Sequence, residues 1–135
     1  MIDDWPDVPM YVRFAVTQTD EDSGYPMGVF MATNELRDSR DTRPELAEHI
    51  RTLRRWFHEN LPAPGDSGKD VAKEAISWFK TDAGECIKRI WTLIHVLQDA
   101  GYVVKKITST RPGKIVYEDE YQVAAIPFRD IRHKL

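Results

Sequence analysis

The sequence predicts an α+β domain with the element order ββαβαββ, in which a mostly antiparallel sheet of about five strands carries two main helices on one face. Two observations lead to this prediction. Runs of alternating or β-branched apolar residues lie near both ends of the chain, which is typical of strands. Two amphipathic segments with helical spacing lie between them, and clusters of turn-forming residues separate the elements.

The composition is that of one globular domain. The chain has 135 residues, of which 41% are hydrophobic, 30% charged and 10% aromatic, enough apolar surface for a single core. This excludes the collagen-like, disordered and disulfide-scaffold classes. We expect one domain over residues 1–135, with an internal surface loop at 62–69 and a frayed basic tail at 129–135.

Charge and cysteine content restrict the partners. The net charge is -3, and the basic part of the chain is too weakly charged for a nucleic-acid surface. We find no apolar segment of membrane-spanning length and no signal-peptide pattern at Met1. Because the single Cys86 has no disulfide partner in the chain and no signal-peptide pattern is found, we expect a cytoplasmic protein. The charge and the lack of a long apolar segment predict that it binds neither nucleic acid nor membrane.

An N-terminal hairpin is predicted from residues 10–17 and 28–33. In the first run Met10, Val12, Phe14 and Val16 alternate with more polar residues, which indicates a strand with one buried face. Residues 19–24 form an acidic turn, and residues 28–33 form the second, short strand. Arg13 on the outer face is a candidate anion-binding residue, and pairing with a carboxylate of a neighbouring strand is the alternative reading of the same position.

The first helix is predicted to follow Thr42 and to run to about Asn60. Thr42 and Glu45 have the spacing of a capping box. One face is apolar and the opposite face is charged. The apolar residues at helical spacing are Leu46, Ile50, Leu53, Phe57 and Leu61.

A short strand at residues 75–80 is predicted to lead into the second helix, with a helical continuation from Asp70 as the alternative. Asp82 caps this helix, and Gly101 ends it in a left-handed conformation. Its wide apolar surface indicates burial on two sides, with Cys86 packed in the core and not acting as a nucleophile. We expect three large aromatic side chains to share one core, namely Phe57, Trp78 and Trp91.

A terminal hairpin is predicted from residues 102–108 and 114–126, joined by a turn at Arg111. Asp119 falls by parity on the apolar face of the second strand, and a bulge near it would remove that conflict. By regular alternation Glu118 and Glu120 project to the same side, where paired carboxylates can divide acid and base roles. The alternative is a solvated strand face whose acids pair with lysines across the hairpin. The candidate site residues are Arg13, Arg111, Glu118, Asp119 and Glu120.

We expect neither a metal nor a cofactor. His49 and His58 lie on opposite sides of the first helix, so one ion cannot reach both, and His95 belongs to a solvated stripe. Residues 109–114 are flexible and basic but lack the spacing of a phosphate-binding loop.

Arg13, Ser109 and the segment 118–120 occur in the order in which ADP-ribosyltransferases place an Arg, a Ser and a Glu-x-Glu on successive strands. In these residues the chain partly resembles that family, and the resemblance implies an enzyme that binds NAD through them. Ser109 lies much nearer to the Glu-x-Glu than in the usual layout of the family, and no family resemblance extends over the length of the chain.

The favoured function is a non-enzymatic binding or interaction domain, either a homodimer or a binder of an unidentified protein or small molecule. A sheet with helices on one face leaves its other face to be covered, which favours self-association. The alternative is a small enzyme that uses the hairpin acids. A concave pocket that joins Glu118 and Glu120 to Arg13 or Arg111 would favour the enzyme.

Overall fold

The computed structural model describes residues 9–19, 24–61 and 74–129 and confirms the α+β class. This part of the chain has three helices and a sheet of six strands, against two main helices and about five strands in the prediction. The predicted loop at 62–69, most of the acidic turn at 19–24 and the tail beyond 129 lie outside the described residues. The elements in order are β1 (Tyr11–Thr19), β2 (Pro26–Gly28), α1 (Val29–Asp38), α2 (Pro44–Asn60), β3 (Ile76–Lys80), α3 (Gly84–Asp99), β4 (Val104–Ser109), β5 (Lys114–Glu118) and β6 (Gln122–Ile126).

β1 is the central strand and pairs on both of its edges. β4 follows one edge from Tyr11 to Val16. β3 pairs with Tyr11 and Val12, and β2 pairs from Ala15 onward. Since Tyr11 and Ala15 also pair with β4, β3 and β2 share the opposite edge of β1. β6 pairs with β3 and β5 pairs with β6, so the sheet is antiparallel throughout, with the order β4-β1-β3-β6-β5 and β2 beside β1.

The predicted strand at residues 28–33 is wrong, because the chain becomes helical at Val29. The β-branched and aromatic residues of this run favour a strand locally. Val29, Ala32, Thr33 and Leu36 nevertheless recur at helical spacing, and all four are buried. Tertiary burial of this stripe overrides the local propensity. The predicted hairpin persists in a shorter form, in which β2 pairs antiparallel with β1.

The predicted terminal hairpin has the wrong partners. β4 pairs with β1, and the hairpin is formed by β5 and β6, into which the expected single strand at 114–126 divides. The chain reverses at Asp119, whose amide donates to the carbonyl of Gln122 at 2.9 Å. A register irregularity does occur in this hairpin, but it lies at Val116 and not at Asp119. The parity conflict at Asp119 is therefore removed by a turn and not by a bulge.

The boundaries of α2 and α3 are predicted well and their N-caps are not. α2 ends at Asn60 as expected, but its N-cap is Arg43 without a side-chain cap, and the Thr42 hydroxyl donates to the Leu36 carbonyl at 2.5 Å. Thr42 thus fixes the end of α1 against the start of α2. The N-cap of α3 is Ala83 instead of Asp82. Gly101 follows α3 with a φ of 95°, the predicted left-handed conformation.

The main core lies between the helices and the sheet. It contains Val12, Phe14 and Val16 of β1 and the inner faces of α1, α2 and α3. Cys86 is buried in it, as predicted, and burial raises the pKa of its thiol to about 12, with a smaller contribution from the charge of Asp119. Among the described residues no helix is long and apolar enough to cross a membrane.

A second, smaller cluster occupies the sheet face away from the helices. Tyr11, Ile76, Trp78 and Val123 form it, with Tyr25 and Ile107 packed against it. The four residues of the cluster are buried within the single chain, so the open sheet face that suggested a homodimer is not open at its centre. The homodimer stays a prediction, and it needs a different surface.

The expectation that Phe57, Trp78 and Trp91 share one core is wrong. Phe57 belongs to the main core and Trp78 to the second cluster, on the opposite side of the sheet. Trp91 is 40% exposed on α3, with its ring edge-to-face on Phe14 at a centroid distance of 5.1 Å. The wide apolar surface of α3 therefore includes an exposed tryptophan.

The two tryptophans are expected to differ in their contribution to stability. Trp78→Ala removes a side chain that is 1% exposed and should lower the free energy of unfolding by about 3 to 5 kcal/mol. Trp91→Ala mainly removes the ring contact with Phe14 and should cost about 1 kcal/mol. Urea unfolding of both variants measures the difference. A loss at Trp91 equal to that at Trp78 would contradict the two-cluster description.

Candidate functional site

A cavity lies where the sheet is divided. Arg13 and Phe14 lie on β1 between the residues that pair with β3 and those that pair with β2. On the other edge of β1 both residues pair with β4. In the described part of the chain, neither β2 nor β3 pairs with Arg13 or Phe14 on the edge of β1 that these two strands share. The space there is a cavity of about 270 Å³, bounded by β1, β2, the first turn of α1, β3 and one residue of α3. We call it the Arg13 cavity.

The Arg13 cavity has a predominantly apolar lining. Among the described residues, Arg13 provides its one charge and Ser77 its one hydroxyl group. Met31 is 41% exposed and Ser77 is also exposed, whereas most other lining side chains are buried, so these two residues mark its mouth. The remaining lining residues are Phe14, Gly28, Val29, Phe30, Ala75, Ile76, Phe79 and Ile90.

Arg13 is held inside the protein. Its side chain is 7% exposed, and its Nη2 donates to the carbonyl of Pro26 at the start of β2. A Cβ added at Gly28 would be in van der Waals contact with Arg13 Nη1, at 3.6 Å, so the guanidinium lies close to the backbone of β2. A charge in such low-dielectric surroundings acts on a neighbouring anion more strongly than it would in water.

Aromatic packing fixes the wall formed by Phe30. Its ring contacts Phe57 and Phe79 edge-to-face, at centroid distances of 4.9 and 5.9 Å. The guanidinium of Arg54 lies 5.4 Å from the same ring, and burial lowers the pKa of Arg54. Phe30 is thus fixed from three elements, α2, β3 and its own helix, which preorganises this wall of the cavity.

Glu118 lies at a different place. It forms an ion pair with Lys80 at 2.7 Å, and this hydrogen bond raises the pKa of Lys80. We expected the hairpin acids to pair with lysines of β4. The partner of Glu118 is a lysine of β3 instead, because β4 pairs with β1 and not with β5. Glu118 lines a second cavity, of about 510 Å³, together with Met10, Tyr11 and Lys80.

Asp119 is a turn residue. Its Oδ1 accepts from the amides of Tyr121 and Gln122, at 2.8 and 3.0 Å, and its Oδ2 accepts from the Tyr117 hydroxyl at 2.7 Å. The Gln122 side-chain amide adds a fourth hydrogen bond at 3.1 Å. A carboxylate that accepts from amides two and three residues ahead stabilises a tight turn. Glu120, inside this turn, is exposed, and it does not project beside Glu118 from one strand as expected.

Arg111 is separated from these acids. It is exposed on the connection between β4 and β5, where its guanidinium lies 4.6 Å from the ring of Phe128. Its amide donates to the Ser109 hydroxyl at 2.9 Å. The structure thus places the predicted site residues in three locations: Arg13 in its cavity, Glu118 beside Lys80, and Arg111 on Phe128.

The spacing of an ADP-ribosyltransferase site is not reproduced. Ser109 and Arg13 lie on adjacent strands and the same sheet face, since Tyr11 pairs with Ser109. Glu118 is on β5, three strands from β1, which corresponds to about 14 Å at the usual strand separation. Arg13 and Glu118 also line different cavities. Within the described ranges no group of three or more metal-binding side chains occurs.

Sequence reasoning identified Arg13 and missed its surroundings. Gly28, Phe30, Met31 and Ser77 come from segments up to 49 positions apart and line one space only because β2 and β3 share an edge of β1. The periodicity of Val29, Ala32, Thr33 and Leu36 was the available signal for α1, whose first turn forms one wall of the cavity.

The Tyr117 hydroxyl should lose its proton only at unusually high pH. The hydrogen bond to Asp119, with smaller contributions from burial and the nearby negative charge, raises the pKa of Tyr117 to about 12. Because this exceeds the unfolded value of about 10, the stabilisation is complete below pH 10 and is lost as the pH rises through 12. Tyrosinate absorbance should show a late phenol that Tyr117→Phe removes and Asp119→Asn shifts to lower pH. A titration unchanged by Tyr117→Phe would contradict this.

No protein-family model, no curated protein and no solved structure matches this chain. The candidate site is therefore identified from the structure itself, and it is the Arg13 cavity, where a buried guanidinium lies in a predominantly apolar lining.

Proposed function

We propose that the protein is a non-enzymatic binding domain whose Arg13 cavity takes a small, mainly apolar ligand with one anionic group, such as a carboxylate. The observation that supports this most is a guanidinium, 7% exposed, at a cavity lined otherwise by apolar groups and one hydroxyl in the described residues. Ligand sites commonly combine an apolar lining with a few polar groups that fix orientation.

The cavity size and its charge define the ligand class. A volume of about 270 Å³ is near the lower end for ligand pockets, which favours a small molecule over a peptide. Arginine offers a planar set of donors that matches both oxygens of a carboxylate. The exposed side chains of Met31 and Ser77 give such a ligand a path of entry.

Binding is better supported than catalysis. General acid–base chemistry needs a titratable group within hydrogen-bond reach of the substrate. Among the described lining residues, Ser77 and Arg13 have polar side chains, and neither is a carboxylate or an imidazole. An enzyme would use the hairpin acids, but these lie outside the Arg13 cavity. Glu118 forms an ion pair with Lys80, and Asp119 accepts hydrogen bonds in a turn. A reducing compartment such as the cytoplasm is part of the proposal, because the single thiol is buried and free.

A screen of small aromatic and aliphatic carboxylates, each beside its uncharged amide, tests the proposal. Thermal shift identifies binders and isothermal titration gives their affinities. Because hydrogen bonds to charged groups contribute about 1.5 to 3 kcal/mol, the carboxylate should bind at least about tenfold more tightly than its amide. Arg13→Gln should remove this preference and leave the amide affinity nearly unchanged.

Blocking the mouth provides an independent test. Ser77→Trp places a large ring at the entrance and should abolish binding, whereas Thr108→Trp, at an exposed position of β4 outside the cavity lining, should not. Both positions are exposed, so both variants should fold. Binding that survives Ser77→Trp, or a screen in which no carboxylate binds, would refute the proposed function.

A further inference from the structure

The alternation of the backbone in β1 decides which main-chain groups face the Arg13 cavity. The Thr81 amide donates to the Met10 carbonyl at 3.3 Å, so this carbonyl points toward β3. Residues two apart in an antiparallel strand direct their main-chain groups to the same edge. The N–H and C=O of Phe14 therefore point to the edge of β1 that β2 and β3 share, whereas those of Arg13 point to β4.

The position of the Phe14 carbonyl agrees with this direction. A Cβ added at Gly28 would lie 4.0 Å from the carbonyl oxygen of Phe14 and 3.6 Å from Arg13 Nη1. The carbonyl thus lies beside β2, and the Phe14 N–H, which precedes it along β1, lies on the side of β3. Since the guanidinium and the Phe14 backbone approach the same point, one small ligand can contact both.

β3 directs main-chain groups of its own toward β1 at Ser77. The Lys80 amide donates to the Tyr121 carbonyl at 2.8 Å, on the side of β6. Ser77 lies three positions before Lys80, so its N–H and C=O point to the opposite edge of β3. This is the edge that pairs with β1.

Phe14 and Ser77 face each other without pairing. In the described chain the pairing of β1 with β3 ends at Val12 and Phe79, and the same register two residues further would set Phe14 opposite Ser77. The Arg13 cavity lies there instead, and both residues line it. A main-chain group away from water requires a hydrogen-bond partner, and a ligand with one donor and one acceptor can serve both strands.

We propose that the ligand of the Arg13 cavity is an N-acylated amino acid with an apolar side chain, whose amide lies between Phe14 and Ser77. The ligand carbonyl accepts from the Phe14 N–H, and the ligand N–H donates to the Ser77 carbonyl. A trans amide fits because its N–H and C=O point in opposite directions. The opposite orientation is disfavoured, because the Phe14 carbonyl lies beside β2.

The remaining parts of such a ligand match the rest of the lining. Its carboxylate, one carbon beyond the amide nitrogen, reaches the guanidinium of Arg13, and its side chain lies against apolar groups such as Phe30 and Ile90. Pairing of a bound extended chain with open main-chain groups is a common mode of recognition, in which pockets select the side chains. This inference rests on the proposed function and specifies the ligand class within it.

Ligands that differ at one group test the amide. N-acetyl-L-leucine contains it, the O-acetyl ester of L-leucic acid replaces the N–H by oxygen, and isocaproate lacks the acylamino group. Isothermal titration should show N-acetyl-L-leucine binding about threefold to tenfold more tightly than the ester, because one neutral hydrogen bond is lost, and at least about tenfold more tightly than isocaproate. N-acetyl-D-leucine is the matched control of equal charge and apolar area, and it should bind at least about threefold more weakly.

Amide resonances test the position of the ligand. N-acetyl-L-leucine should move the Phe14 amide proton downfield and slow its exchange with solvent more than isocaproate does, because isocaproate has no carbonyl group beside its carboxylate that reaches this N–H. The Val12 amide is the control within the protein. It faces the same edge but pairs with Phe79, so the two ligands should affect it equally.

An acetylated tripeptide that ends in L-leucine distinguishes two sources of the same chemistry. Binding as tight as that of N-acetyl-L-leucine identifies the C-terminus of a peptide as the natural ligand. Binding at least about tenfold weaker identifies a free N-acyl amino acid, which the small cavity favours.

The outcomes separate this inference from the proposed function. If carboxylates bind and Arg13→Gln weakens them, but the ester and isocaproate bind as tightly as N-acetyl-L-leucine, the amide site is wrong and the anion site stands. Equal effects of N-acetyl-L-leucine and isocaproate on the Phe14 amide also overturn the inference. If no carboxylate binds, or if Arg13→Gln changes no affinity, both proposals fail.

Discussion

β1 is paired on both edges and buried on both faces, and the remaining architecture depends on how its second edge is shared. β4 follows one edge without interruption, while β3 takes the beginning of the other and β2 takes its end. In the described part of the chain, two strands that approach this edge from different directions leave an interval of it that neither of them covers. That interval contains Arg13 and Phe14, so the division of the sheet both exposes a cavity and places a cation at it.

The same division explains why the helices lie where they do. β2 ends at Gly28 and α1 begins with the next residue, so the first turn of the helix closes the cavity from above the sheet. Thr42 then fixes the end of α1 against α2 through the Leu36 carbonyl. The aromatic contacts of Phe30 with Phe57 and Phe79 join α1, α2 and β3 around the site. Phe30 and Phe79 therefore both line the cavity and take part in core packing, so a substitution in the core is expected to change the shape of the cavity.

The hairpin acids illustrate how a local anomaly can arise from structure and not from function. Asp119 breaks the alternation of its segment because the chain turns there, and its carboxylate accepts four hydrogen bonds from residues of that turn. Glu118 stabilises a contact between β3 and β5 through Lys80, across the intervening strand β6. Sequence alone places Glu118 and Glu120 on one strand face and Asp119 on the other, because without pairing information a turn and a bulge give the same break in parity.

Local patterns determined the fold class, the extent of α2, the strand at β3, the left-handed end of α3 at Gly101 and the burial of Cys86, because periodicity and turn chemistry act over a few residues. Arg13 was recognisable as a charged residue within an apolar strand. At residues 29–33 a helical stripe and strand-favouring residues conflicted, and tertiary burial decided for the helix. Tertiary structure alone decided that β4 pairs with β1 and that Arg13 faces a cavity away from Glu118. Strand pairing and buried area depend on contacts between distant segments, for which a local pattern carries no information.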